Sequence, residues 1–177
     1  MSIDVRHRAG LAALVTLALT GAMHSIAAQS DTLASALRPA RLFSDGLVLQ
    51  RGVPVPVWGW APAKTSVSVA LNGQTRTTAA DASGAWRVTF PAMKAGGPFE
   101  MTIAGGATRI TVRDILVGDV WVASGQSNME WPVESSNNAP AEIARASDAK
   151  IREFAIPHSY SEKPEAEVVG GSWAHAD

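Results

Sequence analysis

Cysteine is absent from all 177 residues. Its absence excludes a disulfide framework and a lipid-anchored cysteine, and leaves the fold to packing alone. No excess of charge of either sign exists: 15 Lys and Arg stand against 16 Asp and Glu, for a net charge of -1. Nothing in that balance marks a partner such as nucleic acid or an acidic membrane surface. No run of like charges forms an interaction tail. His, Cys and carboxylates nowhere cluster at metal-ligand spacing, so neither a metal nor another cofactor is expected. Internal repeats and low-complexity segments are also missing.

Long hydrophobic runs are missing too. The apolar stretch near the amino end, Leu11 to Ala22, is about a dozen residues long, short of the about 20 that a membrane span needs. Arg6 and Arg8 precede it, and small residues follow at Ser25-Ile-Ala27 and Ile26-Ala-Ala28. A charged start, a short apolar centre and a small-residue site describe a secretory signal peptide over residues 1–28, cleaved near Ala27 or Ala28. The mature chain is then expected to be secreted or periplasmic, free of the membrane after cleavage. Its oligomeric state is not written in the sequence.

What is present is a composition 46% hydrophobic, that of a globular protein. A polar linker over 29–37 leads into short alternating runs. Val67, Val69 and Leu71 alternate with Ser66, Ser68 and Ala70, the pattern of a half-buried strand. Asn72-Gly73 follows as a hairpin signal, with 74–80 as the return strand. Trp86, Val88 and Phe90 face one way, as do Phe99, Met101 and Ile103. Residues 108–112 make a further strand. Regular spacing of such strands predicts an antiparallel β-sandwich over 38–113. Pro54 and Pro56 cannot donate ladder hydrogen bonds, which assigns Val53–Trp60 to an edge.

The character changes after Val112, and a second, α/β module is expected over 114–177. The apolar run Val120 to Ala123 fits a strand buried on both faces, as in a parallel sheet. Asn138-Ala-Pro140 is a helix start with Asn138 as N-cap, and 141–146 the helix. Lys150 to Ile156 is the next strand, followed by a polar loop over 157–171. Fifty residues follow Ser127, against about 100–200 for a domain. This module therefore has a start and no end, and the chain is expected to be the amino-terminal portion of a longer protein.

The run at Val120 stops abruptly at Ser124-Gly-Gln-Ser-Asn128. Ligands of open α/β sheets bind outside the carboxyl ends of such strands. A serine there, with Gly125 two residues earlier to permit an unusual backbone angle, is where a nucleophile belongs. Asn128 replaces the second glycine of a Gly-x-Ser-x-Gly elbow, so the α/β-hydrolase fold is not indicated. The same five residues also describe an ordinary polar loop, and the motif alone has limited specificity.

Wider context adds to it. Gly125-Gln-Ser-Asn-Met129, preceded by Val117-Gly-Asp-Val-Trp121, resembles the sialate O-acetylesterases, relatives of the SGNH hydrolases. The likeness continues upstream through Leu42–Arg51, Pro54–Trp60, Gly84-Ala-Trp86 and Gly96-Gly-Pro98, and covers about residues 38 to 135. It implies an SGNH-like α/β/α domain after the sandwich, incomplete here, and an O-acetylated sugar as partner. The activity implied is removal of O-acetyl groups from sialic acid or a related sugar through an acetyl-serine intermediate. Ser127 is implied as catalytic nucleophile and its N–H as an oxyanion donor, with Gly125 allowing the turn. An Asp-x-x-His pair and a later oxyanion segment are also implied, and neither follows Ser127.

Serine hydrolysis needs an activated alcohol, a base and oxyanion donors. His158 and His175 are candidate bases with an ordinary surface role as the simpler reading. Glu130 and Glu134 suit the start of a helix electrostatically without any role at a site. Gln126, Asn128 and Trp131 are candidates for contacting substrate; Asn128 is equally suited to anchoring its own loop. Trp86 and Trp121 fall in strand patterns and are expected in cores. Two other readings compete: an acetylxylan-type esterase acting on plant polysaccharide, and a non-catalytic carbohydrate-binding β-sandwich.

Overall fold

The computed structural model describes residues 36–176, so the expected signal peptide and most of the linker lie outside the described residues. The architecture is mostly β-strands in mixed sheets with few helices. In chain order the strands are β1 (Arg38–Pro39), β2 (Val48–Gln50), β3 (Val55–Trp60), β4 (Ser66–Leu71), β5 (Gln74–Ala79), β6 (Ala85–Phe90), β7 (Gly96–Gly105) and β8 (Thr108–Gly118). One helical turn, α1 (Ala139–Ile143), precedes β9 (Asp148–Phe154) and β10 (Trp173–Ala176).

A five-stranded sheet has the order β2-β8-β7-β4-β5, a three-stranded one β1-β3-β6, and β10-β9 form a separate pair. All pairings are antiparallel except β2 with β8. The two larger sheets share one core. Val57, Trp86, Val88 and Phe90 come to it from the smaller sheet, and Val67, Val69, Met101 and Ile103 from the larger. Alternation in sequence dictates these inward sets, because successive side chains of a strand point to opposite faces. The β4–β5 hairpin turns at Asn72 (φ 48°) and Gly73 (φ 71°), both left-handed as a two-residue turn of this kind requires.

Four expectations are corrected. β3 is not an edge strand, since it lies between β1 and β6. β1, however, pairs only with Gly59 and Trp60, so the half that carries Pro56 has one neighbour and its missing N–H costs no ladder bond. β8 does not end at Val112. It runs to Gly118, with Ile115 and Val117 buried in the shared core. Its register with β7 places Met101 opposite Val112 but Phe99 opposite Ile115. β8 thus has one residue more than its partner over that stretch, a bulge, and Asp114 stands in it at φ 57°. The extra residue returns Ile115 to the face of Val112, which is why the alternation in sequence breaks there.

Val120 to Ala123, third, is not a strand. No described strand pairs with it, and Trp121 and Val122 are 88% and 92% exposed. Trp121 is therefore not a core residue, whereas Trp86 is. Asn138, fourth, precedes α1 with Pro140 in the first turn, but its side chain caps nothing; it is left-handed at φ 59°.

Beyond the serine segment, β9 and β10 attach to the larger body through side chains. Arg152, buried on β9, donates Nη1 to the carbonyl of Gly46 at 2.8 Å and to that of Asp114, and Nη2 to Asp114 Oδ1 at 2.9 Å. Trp173 Nε1 donates to Leu42 O at 2.9 Å, and its ring meets Phe154 edge-on. Glu167 accepts from Arg38 Nη1 and from the Arg41 N–H, each at 2.8 Å.

Candidate active site

The serine segment begins where two parallel strands end together. Gln50 closes β2 and Gly118 closes β8, as register partners. Beyond them the Arg51 N–H donates to Gly118 O at 2.8 Å, one further step of the ladder. As the chains diverge, side chains take over. Gln50 Oε1 accepts from the Val120 N–H at 2.8 Å, while its Nε2 donates to Arg51 O at 3.1 Å. The Arg51 guanidinium grips Asp119 with two bonds, Nε to Oδ1 at 2.7 Å and Nη2 to Oδ2 at 3.0 Å. Hydrogen bonding to Asp119, and then its charge, raise the Arg51 pKa above its usual value.

Ser127 opens a short 3-10 turn, Ser127–Glu130, entered from Gln126 in an extended conformation. The Met129 N–H donates to Gln126 O at 2.8 Å, and the Trp131 N–H to Asn128 O at 3.4 Å. Ser127, Gln126, Asn128 and Trp131 are all exposed, Trp131 by 64%. Asn128 contributes its backbone to this turn; no side-chain anchor from it occurs among the described residues.

Gly125 does not adopt the unusual backbone angle that its place in the sequence suggests. It is not among the positive-φ glycines. A Cβ there would stand 2.6 Å from Met129 Cγ, so the close return of Met129 is what a side chain would disturb.

His158 approaches the turn: its Nε2 lies 2.9 Å from Glu130 Oε1, with both groups well exposed. His175 is elsewhere, 3.6 Å from Asp114 Oδ2. No group of three His, Cys, Asp or Glu able to hold a metal occurs among the described residues.

Pattern reasoning assigned no role to Gln50, Arg51 and Asp119, although all three lie inside the motifs that carry the resemblance. Polar residues placed just past the ends of two apolar strands were the available signal. Parallel pairing of those strands, 68 positions apart at Arg51 and Asp119, is a tertiary fact.

No family model matches the chain. Its structure is similar to part of a carbohydrate acetylesterase from Xanthomonas citri, with a TM-score of 0.76 and 45% identity over 78% of this chain and 32% of that one. The class of proteins this likeness places it beside is that of the carbohydrate acetylesterases. Among curated proteins, the sialate O-acetylesterase of Rattus norvegicus is 34% identical over 125 residues, 64% of this chain and 23% of its own length. That of Homo sapiens is 36% identical over 118 residues, 60% and 23% respectively. The chain belongs to the sialate O-acetylesterase family and spans about a quarter of the length of the curated relatives it matches.

Proposed function

We propose that this chain carries the nucleophile segment of a serine carbohydrate esterase that removes O-acetyl groups from sialic acid or a related acetylated sugar. The observation that carries the reading is the position of Ser127. It opens an exposed turn in the segment that leaves two co-terminating strands at Gly118, in a chain whose relatives are acetylesterases.

In the proposed reaction Ser127 Oγ attacks the acetyl carbonyl and gives its proton to a base. The Ser127 N–H donates to the tetrahedral oxyanion. Collapse expels the sugar oxygen, which takes the proton back, and water then releases acetate from the acetyl-serine. An Asp-x-x-His pair does not follow Ser127 in these residues. His158 and His175 each face a carboxylate instead. The complete catalytic unit is thus taken to be longer than this chain, with a β-sandwich followed by an SGNH-like α/β/α domain that opens around Gly118. The 177-residue chain alone is then expected to be inactive.

Export belongs to the same proposal, with cleavage near Ala27 or Ala28. No described helix is long and apolar enough to cross a membrane. Mass spectrometry of the exported product should find Ala28 or Gln29 at its start; an intact Met1 would refute the signal.

An acetylxylan-type esterase would use the same serine and differ only in its sugar. The carbohydrate-binding alternative has less support. Trp58 and Trp60 pack against the core, and Arg87 and Arg38 lie over their ring faces. The test is turnover of acetylated sugars and p-nitrophenyl acetate by an extended protein and its Ser127→Ala variant. Loss of turnover is expected on substitution, and full activity of the variant would remove the mechanism.

A further inference from the structure

We infer that Gln50, Arg51 and Asp119 are positioning residues for Ser127, forming a clamp that sets the direction in which the serine segment leaves the sheet. The inference rests on the esterase reading above and deepens it.

The geometry concentrates at one point. Two backbone groups and one side chain of the departing chain are fixed from β2 and the residue after it. The Gly118 carbonyl takes the Arg51 N–H, the Val120 N–H goes to Gln50 Oε1, and the Asp119 carboxylate between them is held by both nitrogens of the Arg51 fork. Gln50 is itself oriented. Its Nε2 bond to Arg51 O leaves Oε1 as the atom that meets Val120. A two-bond fork fixes angle as well as distance, which a single ion contact does not.

After Val120 the chain has no comparable support. Among the described residues, the next backbone hydrogen bond that both starts and ends within the segment is the one from Met129 to Gln126. Among the described residues the clamp is thus the last hydrogen-bonded point before the turn that carries Ser127. The Arg51 and Asp119 side chains are 53% and 52% exposed, and exposed ion pairs add little to stability. An arrangement this specific at so exposed a place serves orientation better than it serves stability.

Orientation has catalytic leverage, because a displacement of about 1 Å at a reacting group can cost about 10²-fold in rate. The experiment uses Arg51→Ala, Asp119→Ala, the double variant and the conservative Arg51→Lys. In the 177-residue chain, Arg51→Ala should speed exchange of the Val120 amide, which Gln50 holds, while leaving β4 and β7 protected. In the extended esterase, with active sites titrated by a fluorophosphonate, kcat per titrated site should fall about tenfold in each single variant, and no further in the double one. KM should stay within about twofold, and Arg51→Lys should recover only part of the loss, since it keeps the charge but not the fork.

A purely structural role would lower the number of titrated sites and leave kcat per site intact. That result, or unchanged exchange of the Val120 amide, overturns the clamp while Ser127→Ala still abolishes turnover. Should Ser127→Ala retain activity, the esterase reading falls and the clamp with it.

Discussion

The guanidinium of Arg152 on β9 meets the carboxylate of Asp114 in the bulge of β8, Nη2 to Oδ1 at 2.9 Å. The arginine side chain is 3% exposed, the aspartate 43%. Residues on β9 and β8 are thereby joined at a place where β8 departs from regular pairing. The bulge supplies the contact: only its left-handed residue turns both a carbonyl and a carboxylate toward the same guanidinium.

Arg152→Ala should therefore destabilise the chain. Breaking a buried pair costs about 3–5 kcal/mol, and the exposure of Asp114 reduces the expectation to about 2–3 kcal/mol. Arg145→Ala, which removes the exposed partner of Glu142, should cost less than about 0.5 kcal/mol. Urea unfolding followed by circular dichroism compares them, and equal midpoints would deny Arg152 its role.

Gly59 faces the core from β3, where a Cβ would meet the Arg38 carbonyl, and Pro39 Cα and Trp86 Cζ2 at 2.7 Å each. Two of these are backbone atoms that cannot swing away. Gly59→Ala should cost about 1–3 kcal/mol by overpacking and lower the thermal midpoint. Stability like that of the parent chain would mean that β1 can part from β3 at little cost.

Asp81 holds the turn between β5 and β6. Its Oδ1 accepts from Ser83 Oγ at 2.6 Å and from the N–H groups of Ser83 and Ala85. The Ser83 hydroxyl first, and the backbone donors with it, lower its pKa below the usual value. A depressed folded pKa favours the folded state above the unfolded carboxylate range, and that contribution is lost as pH falls through the folded value. Asp81→Asn should flatten the acid side of the stability profile below about pH 4. Parallel profiles for both proteins between about pH 6 and about pH 2 would contradict the assignment.

Tryptophan emission offers a direct test of the serine segment. Trp121 is 88% and Trp131 64% exposed, against 2% for Trp86. Acrylamide should quench a large fraction of the emission. Trp121→Phe with Trp131→Phe should remove most of that fraction while the quench-resistant part stays. A parent chain whose emission resists quenching would show that the segment is covered in solution.

Local rules are enough to set the strands that alternate and the turns that need special backbone angles. Val67, Val69 and Leu71 on β4, Trp86, Val88 and Phe90 on β6, and the Asn72-Gly73 hairpin follow from local rules: a period of two, and residues that tolerate positive φ. The same locality made Ser127 legible as a candidate, together with the motifs around it. Other features needed partners distant in the chain. Whether Val120–Ala123 becomes a strand depends on a neighbour to supply hydrogen bonds, and no described strand does so. The break after Val112 has the same sequence appearance as a domain change, yet the pairing of β7 with β8 makes it a bulge within one strand. The clamp of Gln50 and Arg51 on Asp119 and Val120 exists because β2 lies parallel to β8, which neither stretch encodes alone. Side-chain alternation and turn chemistry act over a few residues; register, edges and the exit of the serine segment are set by contacts that only the folded sheet brings together.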